Sequence, residues 1–188
     1  MPHQQPDQPN SIERRRKVIS LITEAQQLAE LEGIRDIFRP GFIKEMIVGD
    51  VLGHRLCSSW RDGSGDAYDP RNPEQRFEYF TAPEGRRFQA GLIRRHDWQS
   101  KKSAFMRFTN AAAVYLAVFD PREPLKLVRI YLIETEVFRT EIDRQVKESK
   151  SSVINASFSE RWASTAGRLI FPAPGSGGRP AGDLHEGG

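Results

Sequence analysis

Apolar residues first recur at near-helical spacing, at Ile12, Val18, Ile19, Ile22, Ala25, Leu28 and Ala29. Ser11 stands where an N-cap is wanted and Gly33 where a helix stops, so the pattern predicts a helix over residues 11–31. Within it, Arg14, Arg15, Arg16 and Lys17 read as a solvent face. A second helix is expected from Pro40 to Gly53, turning Phe42, Ile43, Met46, Ile47 and Val51 inward. The pattern then changes period. Strand-like runs fall at residues 55–59 and 76–82, with the turn cluster Asp69-Pro70-Arg71-Asn72-Pro73 between them. Residues 113–119 and 126–134 are the clearest strands, rich in Val, Leu, Ile, Tyr and Phe and joined by a Pro-containing hairpin at 120–124. A short amphipathic helix is expected at 99–110, a longer one from Thr135 to about Lys150, a short strand at 153–157 and a last helical turn at 160–166. Helices flanking a central mixed sheet define an α/β (α+β) fold.

Composition narrows the class. A chain of 188 residues predicts one domain, here 11–171, between a polar lead at 1–10 and a Gly/Pro-rich tail at 172–188, both expected to be disordered. With 38% hydrophobic and 28% charged residues and no apolar run of about 18 residues, no membrane span is expected. A single cysteine, Cys57, and no apolar stretch near the N-terminus point to a reducing, cytoplasmic setting. The net charge of +3 is slight, but its distribution is not. Residues 84–107 hold seven Lys/Arg (Arg86, Arg87, Arg94, Arg95, Lys101, Lys102, Arg107) against two acids. Such clustering suits a phosphate backbone, and His96 lies within it. A solvated basic face is the alternative.

The chemistry concentrates just upstream. Asp66 closes a Gly-rich approach, Asp62-Gly63-Ser64-Gly65, and Glu78 follows on the next strand between Phe77 and Tyr79. Hard cations take oxygen ligands, and two carboxylates converging from adjacent strands leave room for water and a phosphate. Phe77 and Tyr79 should face away from Glu78, and Phe80 should share its face. Glu45, on the second helix, is a further candidate ligand. His3, His54, His96 and His185 have no metal-ligand spacing, and no P-loop suggests a nucleotide cofactor. His54, after a helix-ending glycine, reads as a cap, and Trp60, Trp98 and Trp162 as core or interface.

The carboxylate hairpin, Gly-Asp-Ala-Tyr-Asp at 65–69 and Glu-Tyr-Phe at 78–80, resembles the PD-(D/E)xK nuclease superfamily. Upstream, Glu24, Gln26, Leu28, Ala29, Gly33, Ile34, Asp36, Ile37 and Phe38 are similar to the end of the first helix in its small blunt-cutting type II restriction endonucleases. The similarity runs in order over residues 15–167. It implies a restriction-endonuclease-like core and a homodimeric, Mg²⁺-dependent enzyme cutting duplex DNA, with Asp66 and Glu78 as catalytic metal ligands and the first helix at the dimer contact. Two departures stand out. The position of the catalytic lysine holds Phe80, and the histidines with which the resembling enzyme reads its site have no match between Arg87 and Leu92. A catalytically inactive DNA-binding module and a protein-interaction domain are the alternatives. Lys44, Gln89, Arg86 and Arg87 are the candidates for a relocated lysine role.

Overall fold

A computed structural model describes residues 11–34, 36–57, 65–100 and 107–172. The predicted lead and most of the tail, Trp60, His3, His185, Lys101 and Lys102 lie outside the described residues. By contacts the chain divides into two compact units that meet at Ile43/Lys44.

The first unit is dominated by α1 (Ser11–Leu31). Gly33, at φ 76°, ends it: Gly33 N donates to Glu30 O and Ile34 N to Ala29 O, the two-bond terminator that a left-handed glycine permits. Of the apolar positions that predicted this helix only Ala29 is buried, while Val18, Ile19, Ile22 and Leu28 are exposed.

Helix α2 (Phe42–Leu52) begins two residues after the Pro40 expected to open it. Its buried face agrees with the expected one at Phe42 and Ile47 and differs from it elsewhere. Val48 is fully buried, with Ile47 and Leu52 packed beside it, whereas Ile43 and Val51 are exposed. The i, i+4 pair Val48 and Leu52 faces the sheet, and the helical period then carries Val51 away from it.

In the second unit a six-stranded sheet runs in the order β1-β2-β3-β5-β6-β8. Its strands are β1 (Arg55–Leu56), β2 (Ala67–Asp69), β3 (Asn72–Pro83), β5 (Ala113–Phe119), β6 (Leu127–Ile133) and β8 (Arg168–Phe171). All pairs are antiparallel except β3 with β5, which run parallel in the register Glu78 to Val114 and Phe80 to Leu116. A parallel pair needs a crossover. This one holds β4 (Phe88–Arg94), α3 (Arg95–Gln99) and α4 (Arg107–Asn110) where the sequence predicted one helix at 99–110. Strand β4 pairs with β7 (Val153–Phe158) in a separate two-stranded sheet, and α5 (Thr135–Glu148) and α6 (Glu160–Ala166) complete the fold. Among the described residues no helix is long and apolar enough to cross a membrane.

Two cores result. Phe80, Leu116, Val118 and Ile133 pack with Phe88, Ile93, Phe108, Phe138, Ile142 and Phe158, joining one face of the sheet to α5 and the β4–β7 pair. Phe77, Tyr79, Tyr115, Ala117 and Phe119 pack with Val48 of α2 on the other face. The alternation read along 77–80 is therefore the observed one.

Candidate functional site

Asp66 directly precedes β2, and Glu78 sits in the middle of β3. The chain reaches Asp66 through Gly65, at φ 84°, where a Cβ would lie 2.9 Å from Phe77 O and 3.6 Å from a Glu78 carboxylate oxygen. Only a bare Cα passes over β3 this closely without displacing its backbone. Asp66 N donates to Phe77 O at 2.9 Å, and Tyr79 N donates to Asp66 Oδ2 at 2.9 Å. The Asp66 carboxylate is thus seated on the peptide that follows Glu78. Both acids are buried, Asp66 at 9% and Glu78 at 1% exposure, the only two buried charged residues among those described. Burying a carboxylate is costly unless it is paired or hydrogen-bonded.

The remaining candidates separate from this pair. Glu45, half-buried on α2, lies on the Tyr79 side of the sheet, where its charge and that of Asp66 help raise the phenol's pKa. Among the described residues no group of three or more His, Cys, Asp or Glu is gathered as a cation cage. Phe80 is 7% exposed, with its ring 5.2 Å from Phe138 and 5.9 Å from Phe108. The Lys44 ammonium lies 4.9 Å from the centre of the Phe119 ring, and Phe119 pairs with Pro83, five residues along β3 from Glu78. Lys44 therefore stands at the far end of the strand and on the opposite face.

The basic segment divides in the same way. Arg87 donates through Nε to Ser157 Oγ and through Nη2 to Ser157 O, both at 2.9 Å. Arg95 donates through Nη2 to Ser149 O and through its backbone to Ser152 O. These two arginines tie β4 to β7 and to the loop before it. Arg86, Arg94 and His96 are exposed. On the β4–β7 pair Phe88, Ala90, Ile93, Ile154, Ala156 and Phe158 turn inward. Gln89 opposite Ser157, Leu92 opposite Asn155 and Arg94 opposite Val153 form the outer face. Trp98 is core, its indole N–H 2.5 Å from Asp143 Oδ1.

One feature of the site had no counterpart in the sequence reading. His54 Nδ1 lies 2.7 Å from Tyr79 Oη, and its ring stacks on Phe77 with centroids 4.1 Å apart. Burial, followed by the neighbouring Tyr115, Asp66, Cys57 and Glu45, drives the Tyr79 phenol far above its ordinary value. Burial also holds the His54 imidazole below its ordinary value, with Asp69 partly opposing. A protonated phenol and a neutral imidazole share one hydrogen bond, and the imidazole tautomer sets which of them donates. Twenty-five residues separate the partners, so no spacing along the chain announces the pair.

The chain matches no protein-family model and no curated protein.

Proposed function

We propose that this chain is a Mg²⁺-dependent DNA endonuclease of the restriction type, hydrolysing phosphodiester bonds in duplex DNA. The observation that carries the reading is a pair of buried carboxylates on one hairpin: Asp66, held by the Tyr79 amide, and Glu78, with an oxygen 3.6 Å from where a Cβ on Gly65 would stand. The mixed sheet, with its antiparallel carboxylate hairpin beside one parallel neighbour, supports a restriction-endonuclease-like core. The donor set fits Mg²⁺, which is commonly held by one or two carboxylates and completes its shell with water and phosphate oxygen. Asp66 and Glu78 would hold the cation. Bound there, it would neutralise charge at the scissile phosphate and make a water more acidic. The residues themselves fix the geometry: the Tyr79 amide orients Asp66, and the sheet orients Glu78.

DNA would lie across the outer face of the β4–β7 pair. A two-stranded ribbon fits the major groove, and Gln89, Asn155 and Arg94 supply amide and guanidinium groups of the kind that read base edges. The exposed apolar residues of α1, Leu31 at 82% exposure among them, support a homodimer, and a two-fold protein suits two-fold DNA sites. The single cysteine fits a cytoplasmic protein.

A second reading, a DNA-binding module that no longer cuts, is favoured by Phe80. Its ring belongs to a packed cluster, and neither Lys44 nor Arg87 stands ready to replace a lysine there. Losing such a group commonly lowers the rate by about 10²–10⁴. Plasmid cleavage in Mg²⁺ and in Mn²⁺ separates the two. The endonuclease gives slow, metal-dependent nicking that Asp66→Ala abolishes, whereas a binding module retards the same duplex without cutting it in either metal.

A further inference from the structure

The end of α2 determines where His54 points. Gly53, at φ 67°, donates to Asp50 O at 3.1 Å, and His54 N donates to Gly49 O at 2.8 Å. This pair of bonds closes the helix and fixes the first residue beyond the glycine. From there the imidazole meets two side chains of β3: it stacks on Phe77, and its Nδ1 bonds Tyr79 Oη. Tyr115 packs against the same ring edge-on, with centroids 5.4 Å apart. Phe77 and Tyr79 are also the residues whose backbones grip Asp66, through Phe77 O and Tyr79 N. One imidazole therefore touches the side chains of both residues whose main chains seat one carboxylate, and those residues flank Glu78.

We propose that His54 is a positioning residue for the carboxylate pair, fixing Phe77 and Tyr79 from the opposite face of the sheet so that Asp66 and Glu78 are presented together to a divalent cation. The inference rests on the reading of that pair as cation ligands. His54 touches neither the cation nor DNA. It acts through a phenol and a backbone amide, in the manner of an outer partner that orients a ligating group.

The test uses full-length protein and Mn²⁺ alone, with free ion followed by its electron paramagnetic resonance signal. Wild type binds Mn²⁺ and Asp66→Asn does not. His54→Phe, which keeps the stacking ring, and Tyr79→Phe, which removes only the hydroxyl, each weaken binding by about tenfold or more. His54→Asn, whose side-chain amide oxygen falls near the place of Nδ1, restores most of the loss. A second readout needs no metal. Hydrogen exchange at the Tyr79 amide, followed by NMR in metal-free protein, is faster in His54→Phe and Tyr79→Phe and close to wild type in His54→Asn. Mn²⁺ binding that Asp66→Asn abolishes but both ring variants leave intact, with the Tyr79 amide unchanged, overturns the positioning role alone. A wild-type protein that binds no Mn²⁺ overturns the cation site and this inference with it.

Discussion

The two faces of β3 are both lined with aromatic rings, yet they are held in different ways. On one face Phe80 joins Phe108, Phe138 and Phe158, a cluster of phenyl rings that offers no polar atom. On the other, Phe77 and Tyr79 meet His54, and the contact includes a 2.7 Å hydrogen bond between His54 Nδ1 and Tyr79 Oη. The carboxylate of Glu78 belongs to the phenyl face. The comparison teaches why the missing lysine is more than a change of one letter. Position 80 is a packing site: Phe80 is buried, and its ring packs on those of Phe108 and Phe138. On the polar face, by contrast, His54 and Tyr79 bond each other, and from there His54 braces the backbone that seats Asp66.

The largest expected effect follows from placing the lysine that the motif lacks. Phe80→Lys removes a core ring and puts an ammonium among phenyl groups, so it should cost about 3–5 kcal/mol and leave little folded protein, without rescuing cleavage. Denaturant melts and cleavage assays check it, and a stable, more active variant would show that the phenyl face admits a charge at position 80. Phe138→Ala tests the same face without a charge. Phe138 is fully buried against Phe80, Phe108 and Phe158, and its loss should cost about 3–5 kcal/mol in urea unfolding, at the lower end where neighbours relax into the space.

Gly65→Ala acts where the faces meet. A Cβ at φ 84° strains the backbone and presses on Phe77 O, so stability should fall by about 1–3 kcal/mol. Mn²⁺ affinity should fall with it, because Asp66 is the next residue. The smallest effect is a pH dependence on the polar face. The folded protein holds His54 below its ordinary 6.5, so the unfolded chain takes the proton first. The stability due to neutral His54 is complete above about pH 6.5 and is lost as pH falls through the lower, folded value. In His54→Phe that contribution is gone, and urea melts from pH 7 downward should show a shallower acid slope than wild type.

Much of this was legible in the chain. Residues 113–119 and 127–133 announce β5 and β6 because a strand buried within a sheet reads as a continuous apolar run. The carboxylate pair was visible because glycine and acid fall at a strand start and an acid interrupts Phe-x-Tyr. Strand β4 was hidden. Gly91, at φ 86°, sits at a register shift, so the alternation of Phe88 and Ala90 slips before Ile93, and the flanking arginines read as a basic surface. Two of those arginines, Arg87 and Arg95, also hydrogen-bond to Ser157 and Ser149, contacts that charge counting cannot foresee. Strand β8 has four residues, too few to show a period, and depends on Gly167, where a Cβ would fall 2.2 Å from Ile133 and 2.5 Å from Leu132 O. The inward face of α2 was legible only in part, at Phe42 and Ile47, because its apolar residues surround most of the helix and the tertiary contact at Val48 selects the side.

The central claim is that Asp66 and Glu78 together hold a divalent cation, and Fe²⁺-directed cleavage of the protein tests it most directly. Fe²⁺ replaces Mg²⁺ at oxygen sites and, with ascorbate and peroxide, generates radicals that cut the nearest backbone. The account predicts fragments ending beside Asp66 and Glu78, suppressed by excess Mg²⁺ and absent in Asp66→Asn. Cuts confined to other segments, or cuts at these positions that persist in Asp66→Asn, would contradict it.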